Sequence, residues 1–253
     1  MNLRYITCSD PREFNDIHDI VKLGQLSPRV EIAIQAHPSK MSSGMPRYEW
    51  TNELIKFVKS LAFYNSRNIN LAVHVNREWC AEICKTGKLP HELQTILSQR
   101  YTLFPCKPVI CRIQLNVPAD VVPDANVGKM LNMMDDNREY KFIIQYNANT
   151  AGLVKQLHNH YVPFSPLYDA SGGRGLSPDS WRAPVFRSGA QGYSGGLSPE
   201  NVAENLDKIS AVVPAGRDVW IDAEGKLKTD NKFDIARAQQ YIMNAENWLA
   251  KQR

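Results

Sequence analysis

Short runs rich in β-branched and aromatic residues recur along this chain, separated by stretches with helical, polar-faced periodicity, and that alternation restricts the fold more than any other feature. The strand candidates are LRYIT, VEIAIQ, NLAVHV, VICRIQL, KFIIQY, SPLYD, a run within 186–193, and DVWID. Helix candidates fall at 11–24, 51–66, 78–85, 125–136, 150–160, 198–209 and 232–251. Strand and helix in alternation imply parallel strands joined by right-handed helical crossovers. Eight such repeats close naturally into a barrel, with an open doubly wound sheet as the alternative.

The length of 253 residues, 43% of them apolar, suits one barrel, so the expectation is an α/β chain forming a single (β/α)8 TIM-barrel domain over 1–253. The proline-punctuated stretches 85–108 and 118–126 read as elaborated connections. Ser198-Pro199-Glu200-Asn201 carries a helix-start pattern of cap, proline and first-turn acid, and Ser177-Pro178-Asp179 repeats it.

Charge and cysteine usage narrow the function classes. A net charge of +4, with basic residues scattered rather than striped with aromatics, argues against nucleic acid and for a small anionic ligand. No run approaches the roughly 18 apolar residues of a membrane span, so no membrane partner is expected. Five cysteines without a CxxC pair and without a secretory leader point to a reducing, cytoplasmic setting, with a monomer or homodimer both compatible. Cys80 and Cys84, or His158 and His160, supply at most two ligands each, so neither a metal nor another cofactor is expected.

Three glycine clusters follow the last strand candidates. Gly172, Gly173, Arg174 and Gly175 follow Asp169; Ser194, Gly195 and Gly196 precede a helix start; Gly225 follows Asp222. Each alone reads as a tight turn, but exposed N–H groups at strand ends and helix starts also suit phosphate, and barrels commonly bind it after their last strands. Phosphate-binding loops after strands 6 to 8 are therefore expected, with a small sugar phosphate as partner.

The segment GYSGGLSPENVAENL at 192–206 resembles the GGLxPENV signature of the phosphoribosylanthranilate isomerase family of tryptophan biosynthesis. Asp169 followed by GGRG is similar to that family's aspartate and glycine loop, Ile6-Thr7-Cys8-Ser9 to its first-strand KICG, and Pro38-Ser39-Lys40 with Arg47 to its PxSxRxI loop. VWIDAEGKLKTDNKFD is similar to its last-strand region. The resemblance implies a ribulose-phosphate-binding barrel catalysing an Amadori-type aldose–ketose isomerisation without a cofactor. It implies Asp169 as general acid and Cys8 as general base, with Arg47, Gln114 and Asp222 as substrate contacts.

Departures from the pattern are specific. Asn116 replaces a histidine after the fourth strand, Ala223 and Glu224 stand where paired serines occur, and Arg174 occupies a small-residue position. A barrel acting on another sugar phosphate, or binding a phosphorylated metabolite without turnover, therefore stays open. From residue type alone, a strand cysteine such as Cys8 is more often packing than catalysis.

Overall fold

The computed structural model describes residues 1–61, 69–102, 106–160 and 163–252. Eight parallel strands close into a barrel in sequence order: β1 (Asn2–Ser9), β2 (Val30–Ala36), β3 (Asn70–Val75), β4 (Ile110–Leu115), β5 (Lys141–Tyr146), β6 (Phe164–Tyr168), β7 (Gln191–Ser194) and β8 (Asp218–Ala223). Pairing of β1 with β8, Asn2 opposite Asp218 through Cys8 opposite Ala223, completes the closure. The doubly wound alternative is thereby excluded.

Crossover helices cover the outside: α1 (Ile17–Gln25), the single turn α2 (Pro38–Met41), α3 (Pro46–Leu61), α4 (Arg77–Thr86), α5 (His91–Leu97), α6 (Val127–Asp136), α7 (Ala151–His158), α8 (Val202–Val212) and α9 (Ile235–Ala250). They pack on the outward strand residues, among them Ile6, Ile32, Ile34, Val73 and Ile221, in the main apolar core. Asp16, Asn126 and Asp234 cap α1, α6 and α9 through side-chain oxygens that accept first-turn N–H groups. The part of the 51–66 helix candidate beyond Leu61 lies outside the described residues.

Three local features differ from the sequence expectation. Residues 169–190, between β6 and β7, contain no helix, although Ser177-Pro178-Asp179 carries a start signal. Instead Trp181 is buried in that segment, its indole N–H donating to Asn205 on α8 at 2.9 Å and its ring edge-on to Tyr168 and Tyr193. Tertiary anchoring by one large aromatic overrides the local cap. At Ser198 the backbone N–H instead donates to Asn201 Oδ1, and α8 starts only at Val202. Within the unassigned 85–108 stretch, α5 forms with Leu93, Ile96 and Leu97 buried.

The barrel interior is more polar than the usual layers of branched aliphatics. Glu31 and Arg112 form a buried ion pair at 2.6 Å, and Thr7 donates to the same carboxylate oxygen at 2.8 Å. The Arg112 guanidinium also lies 4.4 Å from the ring centres of both Tyr5 and Trp220. Below them Ile143, Leu167 and Trp220 form a small separate apolar cluster, with Tyr5 and Ala190 packed on it.

Candidate active site

A cavity of about 150 Å³ opens at the C-terminal ends of the strands. Asp169, Gly173, Arg174 and Gly175 line it from the β6 side, Ser194, Gly195, Gly196 and Leu197 from β7, and Asp222, Glu224, Gly225 and Lys226 from β8. His74, Gln114 and Gln145 complete it from strands β3 to β5. The three glycine clusters, far apart in sequence, thus meet around one space.

Close approach of the β6 and β7 loops explains their glycines. Gly195 has φ +118°, and a Cβ there would sit 2.8 Å from the Leu176 carbonyl oxygen. Gly196 has φ +62°, and its Cβ would meet Ser177 at 2.4 Å. Among the described residues no hydrogen bond reaches the N–H groups of Gly196 or Leu197. Arg174 donates through Nε to the Ser171 carbonyl at 2.8 Å, and neither Arg174 nor Lys226 belongs to any ion pair among those residues.

Asp169 is buried and accepts four bonds. Ser171 donates its N–H at 3.1 Å and its hydroxyl at 2.7 Å to Oδ1; Gly173 N–H and Gln145 Nε2 donate to Oδ2 at 2.6 and 2.8 Å. The glycine loop therefore curls back to fix this carboxylate. Asp222, also buried, accepts one bond, from the Ser9 hydroxyl at 2.6 Å. Burial, joined by the charges of Glu31 and Asp169 and opposed by Ser9 and Arg112, pushes the Asp222 carboxyl up to about 7.

Cys8, expected as the base, is placed elsewhere. Its neighbours Thr7 and Ser9 reach inward to Glu31 and Asp222, so Cys8 shares the outward face with Ile6 and belongs to the core beneath the helices. It is fully buried, does not line the cavity, and burial, with Asp222 and Glu31 nearby, pushes its thiol well above the usual range. A neutral thiol on that face cannot take a proton from a ligand inside the barrel.

Arg47, expected to hold a substrate carboxylate, is the second residue of α3 and is buried between two acids. Nη1 donates to Asp10 and Nε to Glu13, each at 3.2 Å. Asp10 also accepts from Arg12 at 2.9 Å and pairs with Lys228 at 2.7 Å. Burial alone would raise its carboxyl, but these cations outweigh that and hold it below its usual value. Arg47 and Asp10 line a second cavity of about 460 Å³, which shares Asn116, Gln145, Gly173 and Glu224 with the first; Gly172 also lines it.

Glu224, at a family serine position, turns away from the glycine loops: Oε2 accepts from Gln35 at 2.7 Å and Oε1 from Lys228 Nζ at 2.9 Å. Its charge is thus partnered on the β1–β2 side. Gln114 and Asp222, expected as substrate contacts, both face the first cavity. His74, Gln145 and Lys226 line it as well, although sequence reasoning did not select them. Polar residues near the ends of otherwise apolar strands, as in NLAVHV and KFIIQY, were the available signal for the first two.

No protein-family model matches the chain, and no curated protein matches it by sequence. Solved structures do. TrpF from Jonesia denitrificans aligns over 97% of this chain and 98% of its own, with 15% identity and a TM-score of 0.53. N-(5'-phosphoribosyl)anthranilate isomerase from Pyrococcus furiosus aligns over 97% and 100%, with 12% identity and a TM-score of 0.53. A chain of the tryptophan synthase complex from Pyrococcus furiosus aligns over 97% and 98%, with 10% identity and a TM-score of 0.51. At these identities the likeness is one of fold: the whole chain follows the course of these barrels.

Proposed function

We propose that the protein is an aldose–ketose isomerase of a phosphoribosylated amine, with its phosphate held by the β6, β7 and β8 loops and with Asp169 and Asp222 exchanging protons. The observation that carries this reading is the convergence of two buried carboxylates and three glycine loops on one cavity. Open N–H groups at Gly196 and Leu197, with Arg174 and Lys226, offer donors and positive charge to a phosphate. Sequence motifs at 169–175 and 192–206, and barrels of like fold that carry the isomerase name, support the same choice.

The reaction needs a proton delivered to the furanose ring oxygen, which opens the ring to an iminium at C1. A proton is then taken from C2 to give an enolamine, which tautomerises to the aminoketose. Asp222 suits the first step, because a carboxyl pushed to about 7 still carries its proton near neutrality. Asp169 suits the second, because all four groups bonded to it are donors and it stands there as an acceptor. The role that the family resemblance implies for Asp169 is thereby reversed: it serves as the base in place of the first-strand cysteine, and Asp222 serves as the acid. The larger second cavity, adjoining the first, provides room for the amine substituent.

The test is to mix the protein with freshly generated phosphoribosylanthranilate and follow the loss of its fluorescence. Turnover should fall by about 10²-fold or more in Asp169→Asn and in Asp222→Asn, with inorganic phosphate affinity retained. Turnover should also decline as pH rises through about 7, as the acid form of Asp222 is lost. Phosphate binding without turnover would move the reading to another sugar phosphate or to a binding protein.

A further inference from the structure

A chain of carboxamides spans the upper barrel wall from β2 to β4, and its hydrogen-bond polarity can be read from its fixed points. Gln35, His74 and Gln114 are register partners across these strands. Asn76 donates through Nδ2 to the His74 backbone carbonyl at 2.8 Å and to Gln35 Oε1. A carbonyl oxygen can only accept, so the amide nitrogen of Asn76 must face it and its Oδ1 must face Asn116.

From there each orientation follows in turn. Asn116 donates to Asn76 Oδ1 at 2.9 Å, which turns Asn116 Oδ1 towards Gln114, whose Nε2 donates to it at 2.9 Å. The same Gln114 nitrogen lies 3.4 Å from His74 Nδ1. An amide nitrogen can only donate, so Nδ1 is the bare nitrogen and the neutral ring carries its proton on Nε2. The far end agrees, because Gln35 Nε2 donates to the Glu224 carboxylate and leaves Gln35 Oε1 to accept from Asn76.

Two consequences meet in the first cavity. Burial, aided by Arg112 against the opposing charges of Glu31, Glu224 and Asp10, lowers the His74 imidazole to about 4, so it is neutral at ordinary pH. Gln114 Oε1, turned away from this chain, is buried without a hydrogen-bond partner. His74 and Gln114 both line the cavity. A buried acceptor left unpaired costs on the order of 1–3 kcal/mol, and a ligand donor would offset that cost.

We propose that His74 and Gln114 form a donor–acceptor pair for the vicinal diol of a sugar, Nε2–H donating to one hydroxyl oxygen and Gln114 Oε1 accepting from its neighbour. This specificity role rests on the sugar-phosphate reading of the same cavity. It makes the amide chain from Glu224 to Asn116 a positioning device that holds one histidine tautomer.

Nitrogen NMR of His74 and calorimetric titration with ribose 5-phosphate, 2-deoxyribose 5-phosphate and inorganic phosphate test it together. The expected result is a single Nε2–H tautomer, unprotonated between pH 5.5 and 8 (about 4 for its pKa), and a preference of roughly tenfold or more for ribose over deoxyribose phosphate. His74→Phe and Gln114→Leu should bring that preference close to one while leaving inorganic phosphate affinity unchanged, which also reports that each variant folds. An Nδ1–H tautomer, an imidazolium at pH 7, or phosphate binding with no preference between the two sugars overturns the pair alone. Failure of all three probes to bind overturns the phosphate site and the diol ligand with it.

Discussion

Asp222 and Cys8 show how one strand position separates chemistry from packing. Period-2 alternation puts Thr7 and Ser9 inside the barrel and Ile6 and Cys8 outside, a pattern visible in Tyr5-Ile6-Thr7-Cys8-Ser9 itself. Motif similarity favoured the sulfur; alternation favours the hydroxyl, which bonds Asp222. The raised Asp222 carboxyl carries a stability consequence. Between pH 3.8 and about 7 the unfolded chain has released this proton and the folded chain retains it, so this group makes stability fall as pH rises across that window. Three units correspond to at most about 4 kcal/mol. Asp222→Asn should therefore melt higher than the parent at pH 8, with the gain vanishing near pH 4, while losing turnover. Equal melting shifts at both pH values would show that the carboxyl is not raised by burial.

At the scale of elements, the β6–β7 connection decides whether the three loops meet. Its glycines at 172, 173 and 175 were legible as a loop, and Asp169 as the functional residue at its start. The absence of a helix was not, because the Ser177-Pro178-Asp179 signal is local whereas the competing interaction joins Trp181 to Asn205, 24 residues away. Truncation should reveal that anchoring. Trp181→Ala should cost about 3–5 kcal/mol in urea unfolding and weaken inorganic phosphate binding, since Leu176 and Ser177 would no longer be held against Gly195 and Gly196. Trp181→Phe keeps the ring packing on Tyr168 and Tyr193, loses only the bond to Asn205, and should cost about 1 kcal/mol. A Trp181→Ala protein with full stability and unaltered phosphate affinity would mean that the segment is positioned from elsewhere.

For the whole molecule, barrel closure followed from eight regularly spaced strand runs, but what fills the barrel did not, because Glu31 and Arg112 lie 81 residues apart and only closure brings them together. In the folded chain Arg112 is held by Glu31 and by the faces of Tyr5 and Trp220, while Glu31 Oε2 is buried without a partner. Such a pair is costly to desolvate, so removing one member and removing both should differ in kind. Glu31→Leu leaves a buried guanidinium without its counter-charge and should destabilise by about 3–5 kcal/mol. Arg112→Met leaves the carboxylate buried without its cation and should do the same. The double variant Glu31→Leu, Arg112→Met should recover most of that loss, because apolar side chains of similar length suit the space beside Ile143, Leu167 and Trp220. Urea unfolding of the four proteins measures the coupling. Additive losses would mean that the two charges are solvated independently. Non-additive losses with the double variant near the parent would locate the barrel's stability in its packing and leave the ion pair as the electrostatic floor beneath Asp222 and His74.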